Sequence, residues 1–251
     1  MSAKRAPGRP GRGALRAAGL FAAAVAVALQ LTGALAAPEQ ETIGVRTRMQ
    51  RPRPPRDVVV VAIDEASFQA LRHSWPLPRS RHARAIDRLR AAGARDIVYD
   101  VQFTEPTRPA EDLALFRAIG RAHGAVLATT EIDHGRTAVL GGDDNLARVG
   151  AVAAASALPV GSGGVIDRVP FAVDGLPSIA VAAARRAGRT VRRGAFGGGG
   201  AWIRYAGPPG TVPTVRFSDL LAGHVDPALL RGRIAVVGAT VPSLQDVHAT
   251  P

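Results

Sequence analysis

Asp64, Asp100 and Asp246 each lie in, or shortly after, an apolar run that reads as a buried strand. In an open parallel sheet the carboxyl ends of the strands border the ligand crevice. Carboxylates gathered there can hold a divalent cation and activate a phosphate ester, the chemistry of a metal-dependent phosphohydrolase. The plainer role is capping, since Asp accepts backbone N–H bonds at turns. A phosphatase of the haloacid type needs a second Asp two positions after the first, and Asp64 is followed by Glu65-Ala66. Trp75 and Arg79, in Trp75-Pro76-Leu77-Pro78-Arg79, offer an aromatic face and a guanidinium to a ligand. They serve equally as a core ring and the partner of a carboxylate.

Other chemistries are excluded or weakened by residue type. There is no Cys, so disulfides, thiolate metal sites, iron–sulfur clusters and a Cys nucleophile are ruled out. Lys4 is the only lysine, which removes a Walker P-loop and a Schiff-base lysine from the body of the chain. The histidines, at 73, 82, 123, 134, 224 and 248, form no HxH or HxxxH pair, so solvated or packing roles are the expectation. Asp246-x-His248 is a close carboxylate–imidazole pair, but no G-x-S-x-G turn accompanies it. No Gly-rich dinucleotide fingerprint follows a strand. No catalytic residue, metal ligand or cofactor is assigned. A formal net charge of +12 invites a nucleic-acid reading, yet the arginines are scattered and aromatics make up only 4% of the chain, so none is expected.

The elements that must position these groups read as an α/β fold, a mostly parallel central sheet flanked by helices. Residues 58–63, Val-Val-Val-Val-Ala-Ile, form a β-branched run of the kind buried on both faces. Ala83, Ile86 and Leu89 predict a helix over 81–92 ended by Gly93. Ile97 to Tyr99, with Val101 and Phe103, predict a second strand; Leu115, Phe116, Ile119 and Ala122 a second helix over 111–122; and 125–130 a third strand. Strand–helix–strand spacing of this kind implies right-handed crossovers. Residues 131–176 read as hairpins and loops, 177–187 as a helix, 197–200 as a linker, and 201–205 as a strand. Asp226-Pro227 opens a short helix, and 234–238 is the last buried strand.

The ends have another character. Residues 1–16 form a basic tail with Lys4, Arg5, Arg9, Arg12 and Arg16 and no acidic residue. Residues 17–37 then carry no charge, long enough as a helix to cross the roughly 30 Å hydrocarbon core of a bilayer. A basic flank ahead of the first apolar segment keeps the N-terminus cytoplasmic and places the remainder outside. One N-terminal transmembrane helix, retained as a signal anchor, is therefore expected. A signal peptide cleaved after Ala34-Leu35-Ala36 exports the same remainder. Residues 38–57, with Arg51-Pro52-Arg53-Pro54-Pro55-Arg56, read as an extended juxtamembrane connector whose arginines can touch anionic headgroups. The membrane is thus the first expected partner.

Several specific pieces then occur in order: Ile63-Asp64-Glu65-Ala66-Ser67, Trp75-Pro76-Leu77-Pro78-Arg79, Ile97-Val98-Tyr99-Asp100-Val101-Gln102-Phe103, Ile166-Asp167-Arg168-Val169-Pro170 and Asp246-Val247-His248-Ala249-Thr250-Pro251. Together they resemble the CHASE type 2 family of extracytoplasmic sensor domains, over roughly residues 39–251. The resemblance implies a bacterial cell-membrane protein whose domain, residues 58–251, senses an unknown extracytoplasmic ligand and does not catalyse. Relatives continue into further transmembrane helices and a cytoplasmic adenylate cyclase, Ser/Thr kinase or histidine kinase, so this domain is expected to be truncated at its C-terminal end. Gly44 departs from the family pattern, where an Asp is common. The candidate ligand residues are Asp64, Trp75, Arg79, Asp100 and Asp246. The exported phosphohydrolase is the alternative, and a scaffold forming a homodimer, or pairing with a full-length partner, is a third.

Overall fold

Strand β1 (Val58–Ile63) forms where the β-branched run predicts it, and its burial on both faces follows from its place inside the sheet. The computed structural model describes residues 51–160 and 164–241, all within the compact unit Thr47–Pro251. The expected transmembrane segment 17–37, most of the connector and Asp246 lie outside the described residues. Among the described residues no helix is long and apolar enough to cross a membrane.

After β1 come helix α1 (Glu65–Leu71), helix α2 (Arg79–Ala91), β2 (Asp96–Asp100), α3 (Pro109–Arg121) and β3 (Val126–Thr129). Then follow α4 (Asp143–Val149), β4 (Val152–Ala155), the short strands β5 (Arg168–Val169), β6 (Ala172–Val173) and β7 (Leu176–Pro177), and α5 (Ile179–Arg186). The chain continues through β8 (Ala201–Trp202), β9 (Thr214–Arg216), α6 (Phe217–Ala222) and β10 (Ile234–Ala239). Six strands make one sheet in the order β4-β3-β2-β10-β1-β9, and every pairing in it is parallel. The last strand inserts between the first two, with Val58 opposite Ile234 and Gly238 opposite Asp100.

One face of the sheet, with Val59, Val61, Ile63, Ile97, Tyr99, Leu127, Ala235 and Val237, packs under α2, α3, α4 and α6 in the main core. The opposite face buries Val98, Val126 and Ala154 against Ala182 of α5. The alternation of neighbours such as Ile97 and Val98 between the two cores is the period-two geometry of a strand.

The region read as hairpins and loops does hold a hairpin, and also a helix and a strand not expected there. The β6–β7 hairpin turns on Asp174-Gly175, both with positive φ, as a two-residue primed turn requires. The helix is α4 and the strand is β4, a full member of the sheet. Three further elements escape the sequence pattern: α1, β9 and α6. The strand expected over 201–205 is reduced to β8, paired antiparallel with β5 outside the main sheet. The short helix after Asp226 is a single 3-10 turn, Pro227–Leu229, capped by the Asp226 side chain. Part of the connector is tied down, since the Arg53 N–H donates to the Ala206 carbonyl at 2.7 Å.

Candidate functional site

The carboxyl end of β1 uses its aspartate locally. The Asp64 carboxylate accepts from the backbone N–H of Ser67 at 2.8 Å and from its hydroxyl at 2.7 Å, capping α1. Its other oxygen lies 3.3 Å from the Arg216 guanidinium at the end of the neighbouring strand β9. Burial by itself would raise the Asp64 pKa, but the two Ser67 bonds and the Arg216 charge outweigh it and hold the carboxyl below its ordinary value. Asp100 ends β2 and is exposed, its Cβ beside Gly238 of β10. With β10 between β1 and β2, two strand spacings, about 9–10 Å, separate Asp100 from the level of Ala62, and Asp64 lies two residues further along. Among the described residues no three His, Asp or Glu side chains converge as a metal site.

Trp75 and Arg79 are brought together elsewhere on the same edge of the sheet. Both line a cavity of about 460 Å³ between the Pro-rich approach to α2, the segment that follows β2, and Glu131, just beyond β3. Two prolines, Pro76 and Pro78, keep residues 73–78 from continuing α1 into α2, which leaves an open strand of backbone as one wall. Val101, Gln102, Phe103, Thr104 and Glu105 form another, and Glu131 stands beside it, accepting from the Thr104 hydroxyl at 3.2 Å. The Gln102 side-chain carbonyl accepts from the Thr130 N–H at 3.1 Å, fastening the β2 exit to the β3 exit.

Arg79 is the first residue of α2 and is buried, with Nη1 on the Asp112 carboxylate at 2.9 Å and Nη2 on the Glu105 carbonyl. Asp112 sits in the first turn of α3, where it also accepts from the backbone N–H and the hydroxyl of Thr107. Burial alone would raise its pKa; the Thr107 bonds and Arg79 more than reverse that and leave it lowered. The Glu111 carboxylate is held below its ordinary range chiefly by the Ser80 N–H, which donates to it at 2.6 Å. These two contacts lock the start of α3 to the start of α2. Trp75 is 37% exposed, so it is not a core ring. Arg79 does pair with a carboxylate.

His82, one turn into α2, is part of the cavity wall and is only 2% exposed. Its ring sits edge-on to Tyr99 and Phe103, with centroids 5.5 and 5.3 Å away, and is tilted against Phe217 at 5.6 Å. Burial among these rings, aided by the Arg79 charge and only partly opposed by the Leu77 carbonyl, lowers its pKa to about 4. It is therefore neutral at pH 7, and its Nδ1 is buried without a hydrogen-bond partner. The sequence offers a signal that points to it, because His82 lies four residues before Ile86 and seven before Leu89, on the buried stripe of α2. Glu105 and Glu131 carry no such signal.

A family model described as the CHASE2 domain matches residues 20–251. The chain belongs to the CHASE2 domain family. The match takes in the whole parallel sheet, the cavity beside it and most of the apolar run at 17–37. The CHASE2 domain is a sensory module, consistent with a role in signalling. Searches of curated proteins and of solved structures returned no significant match.

Proposed function

We propose that this chain is the extracytoplasmic sensor of a bacterial signalling protein and that it detects a small molecule in the cavity beside Trp75. The observation that carries the reading is the position of that cavity in a sensory-family fold. It opens at the carboxyl end of β2, where open parallel sheets bind ligands. About 460 Å³ lies within the range of small-molecule sites.

On this reading residues 17–37 anchor the chain with its N-terminus in the cytoplasm, and the domain lies outside. The signal leaves through further transmembrane helices toward a cyclase or kinase domain, and the sensor itself does not catalyse. A ligand transmits only as much as its preference for one of two arrangements of the domain. The cavity walls suit that role, because they come from the starts of α2 and α3 and the exits of β2 and β3. A ligand that pulls Trp75 toward Glu131 shifts one group of elements against the other.

Two measurements test the proposal. Alkaline phosphatase fused after residue 251 is active in cells when that point is exported and inactive when it is cytoplasmic; inactivity sinks the topology. A screen for small molecules that raise the melting temperature is then repeated on Trp75→Ala and Glu131→Ala. Ligands of the cavity stabilise the parent chain and lose that effect in both variants. Stabilisation that survives both places the site elsewhere.

A further inference from the structure

The groups around the Trp75 cavity divide sharply into those already satisfied and those that are not. The buried cation is spent: both terminal nitrogens of Arg79 are engaged, on Asp112 and on the Glu105 carbonyl. Arg108, the other guanidinium in the lining, is exposed, and its side chain makes no hydrogen bond or ion pair among the described residues; its nearest charge influence is on Glu111. The Ser80 N–H is taken by Glu111 as well.

The electron-rich side is not spent. Among the described residues the Glu105 carboxylate makes no hydrogen bond or ion pair, and the Glu131 carboxylate takes only the Thr104 hydroxyl, at 3.2 Å. Trp75 is partly exposed, and no ring or guanidinium stacks on it among the described residues. His82 adds an independent mark. Its Nδ1 is sealed from water and has no hydrogen-bond partner. A buried polar atom left unpaired costs free energy on the order of 1–3 kcal/mol.

We infer that the cavity takes a small organic cation, an amine whose charge lies between Trp75, Glu105 and Glu131 and whose N–H groups supply donors to the acceptors lining it. The indole face attracts a cation through its quadrupole, and carboxylates strengthen the contact by charge-assisted hydrogen bonds. An anion meets two carboxylates in the same walls, and among the described residues the one guanidinium there without a hydrogen bond or ion pair is that of the exposed Arg108. The inference rests on the cavity being the sensory site, and it adds the charge and hydrogen-bonding character of the occupant.

The test uses the full chain in detergent micelles with Trp202→Phe, which leaves Trp75 as the sole tryptophan, since the chain has two. Trp75 emission is titrated with phenethylamine, with choline, and with 3-phenylpropionate, the carboxylate of similar shape to phenethylamine. Phenethylamine is expected to give a saturable change in emission at millimolar concentration or below. Choline, which has no N–H, should bind more weakly, and 3-phenylpropionate at least tenfold more weakly. Glu105→Gln with Glu131→Gln, checked for native circular dichroism, should weaken phenethylamine at least tenfold and bring the carboxylate level with it. Binding of 3-phenylpropionate as tight as that of phenethylamine overturns the cation inference while leaving the cavity a ligand site. Saturation by neither overturns the inference, and an amine affinity unchanged in the double variant removes both the inference and the cavity as its site.

Discussion

Holding His82 neutral inside an aromatic cluster makes the fold sensitive to acid in a defined window. In the unfolded chain the imidazole titrates near 6.5; in the folded domain it titrates at about 4. Between those values the unfolded state binds a proton that the folded state refuses, so unfolding becomes easier as the pH falls. The stabilisation is fully present above pH 6.5, erodes as the pH drops, and is wholly lost below about 4. The difference of roughly 2.5 pKa units corresponds to about 3 kcal/mol, and about 2.5 kcal/mol of it is gone by pH 4.5. For a domain with a urea slope of about 2 kcal/mol/M this moves the unfolding midpoint by more than 1 M.

The control is His82→Leu, which fills a similar volume among Tyr99, Phe103 and Phe217 without a titrating group. At pH 7.5 the variant is expected within about 1.5 kcal/mol of the parent, because an apolar replacement of similar volume is tolerated in a packed core. At pH 4.5 it is expected to be the more stable of the two, its other acid-sensitive groups being shared with the parent. Equilibrium urea unfolding of the Thr47–Pro251 unit at several pH values, followed by far-ultraviolet circular dichroism, gives both curves. If the difference between parent and variant is flat from pH 7.5 to 4.5, His82 is not held neutral by burial and the reasoning fails.

Asp112→Ala strands the buried Arg79 guanidinium and frees the Thr107 N–H; a loss of about 3 kcal/mol is expected, the low end for breaking a buried pair because the Asp112 side chain is 28% exposed. A double-mutant cycle with Arg79→Met that shows no coupling would count against the pair. Asp64→Ala removes the α1 cap and the Arg216 contact and should cost about 1–2 kcal/mol by thermal unfolding. The folded pKa of Asp64 is lowered, so its contribution is present above the unfolded value of about 3.9 and disappears as the pH falls through the folded value; the Asp64→Ala penalty should shrink as the pH drops below the unfolded value. Gly124→Ala puts a Cβ 1.9 Å from the Gly150 carbonyl oxygen, at a φ of +99°, and should fail to reach the native near-ultraviolet spectrum. Gly188→Ala, with nothing within 4 Å and a φ of +76°, isolates the strain and should cost only about 1 kcal/mol.

What the sequence exposes and what it conceals follow one physical rule. β1 and β10 are legible because a strand buried on both faces must be apolar at every position, and Val58–Ile63 and Ile234–Ala239 are so nearly throughout. β9 is an edge strand of three residues, and β4 is mostly alanine, which has little strand preference; both exist because a neighbour supplies their hydrogen bonds. α1 and α6 are only seven and six residues long, too short for a periodic stripe to show. The same division governs the site. Trp75 and Arg79 stand out by residue type in a Pro-rich motif, whereas Glu105 and Glu131 are ordinary acidic residues until the exits of β2 and β3 bring them to one cavity. His82 falls between these cases: its place on the buried stripe of α2 is written in the spacing, but its unpaired Nδ1 exists only once Tyr99, Phe103 and Phe217 close around it. A ligand site of this kind is made from acceptors that local sequence leaves unremarkable. The fold gathers them at one cavity beside the water-free Nδ1 of His82, and a donor from outside the chain is what would complete the set.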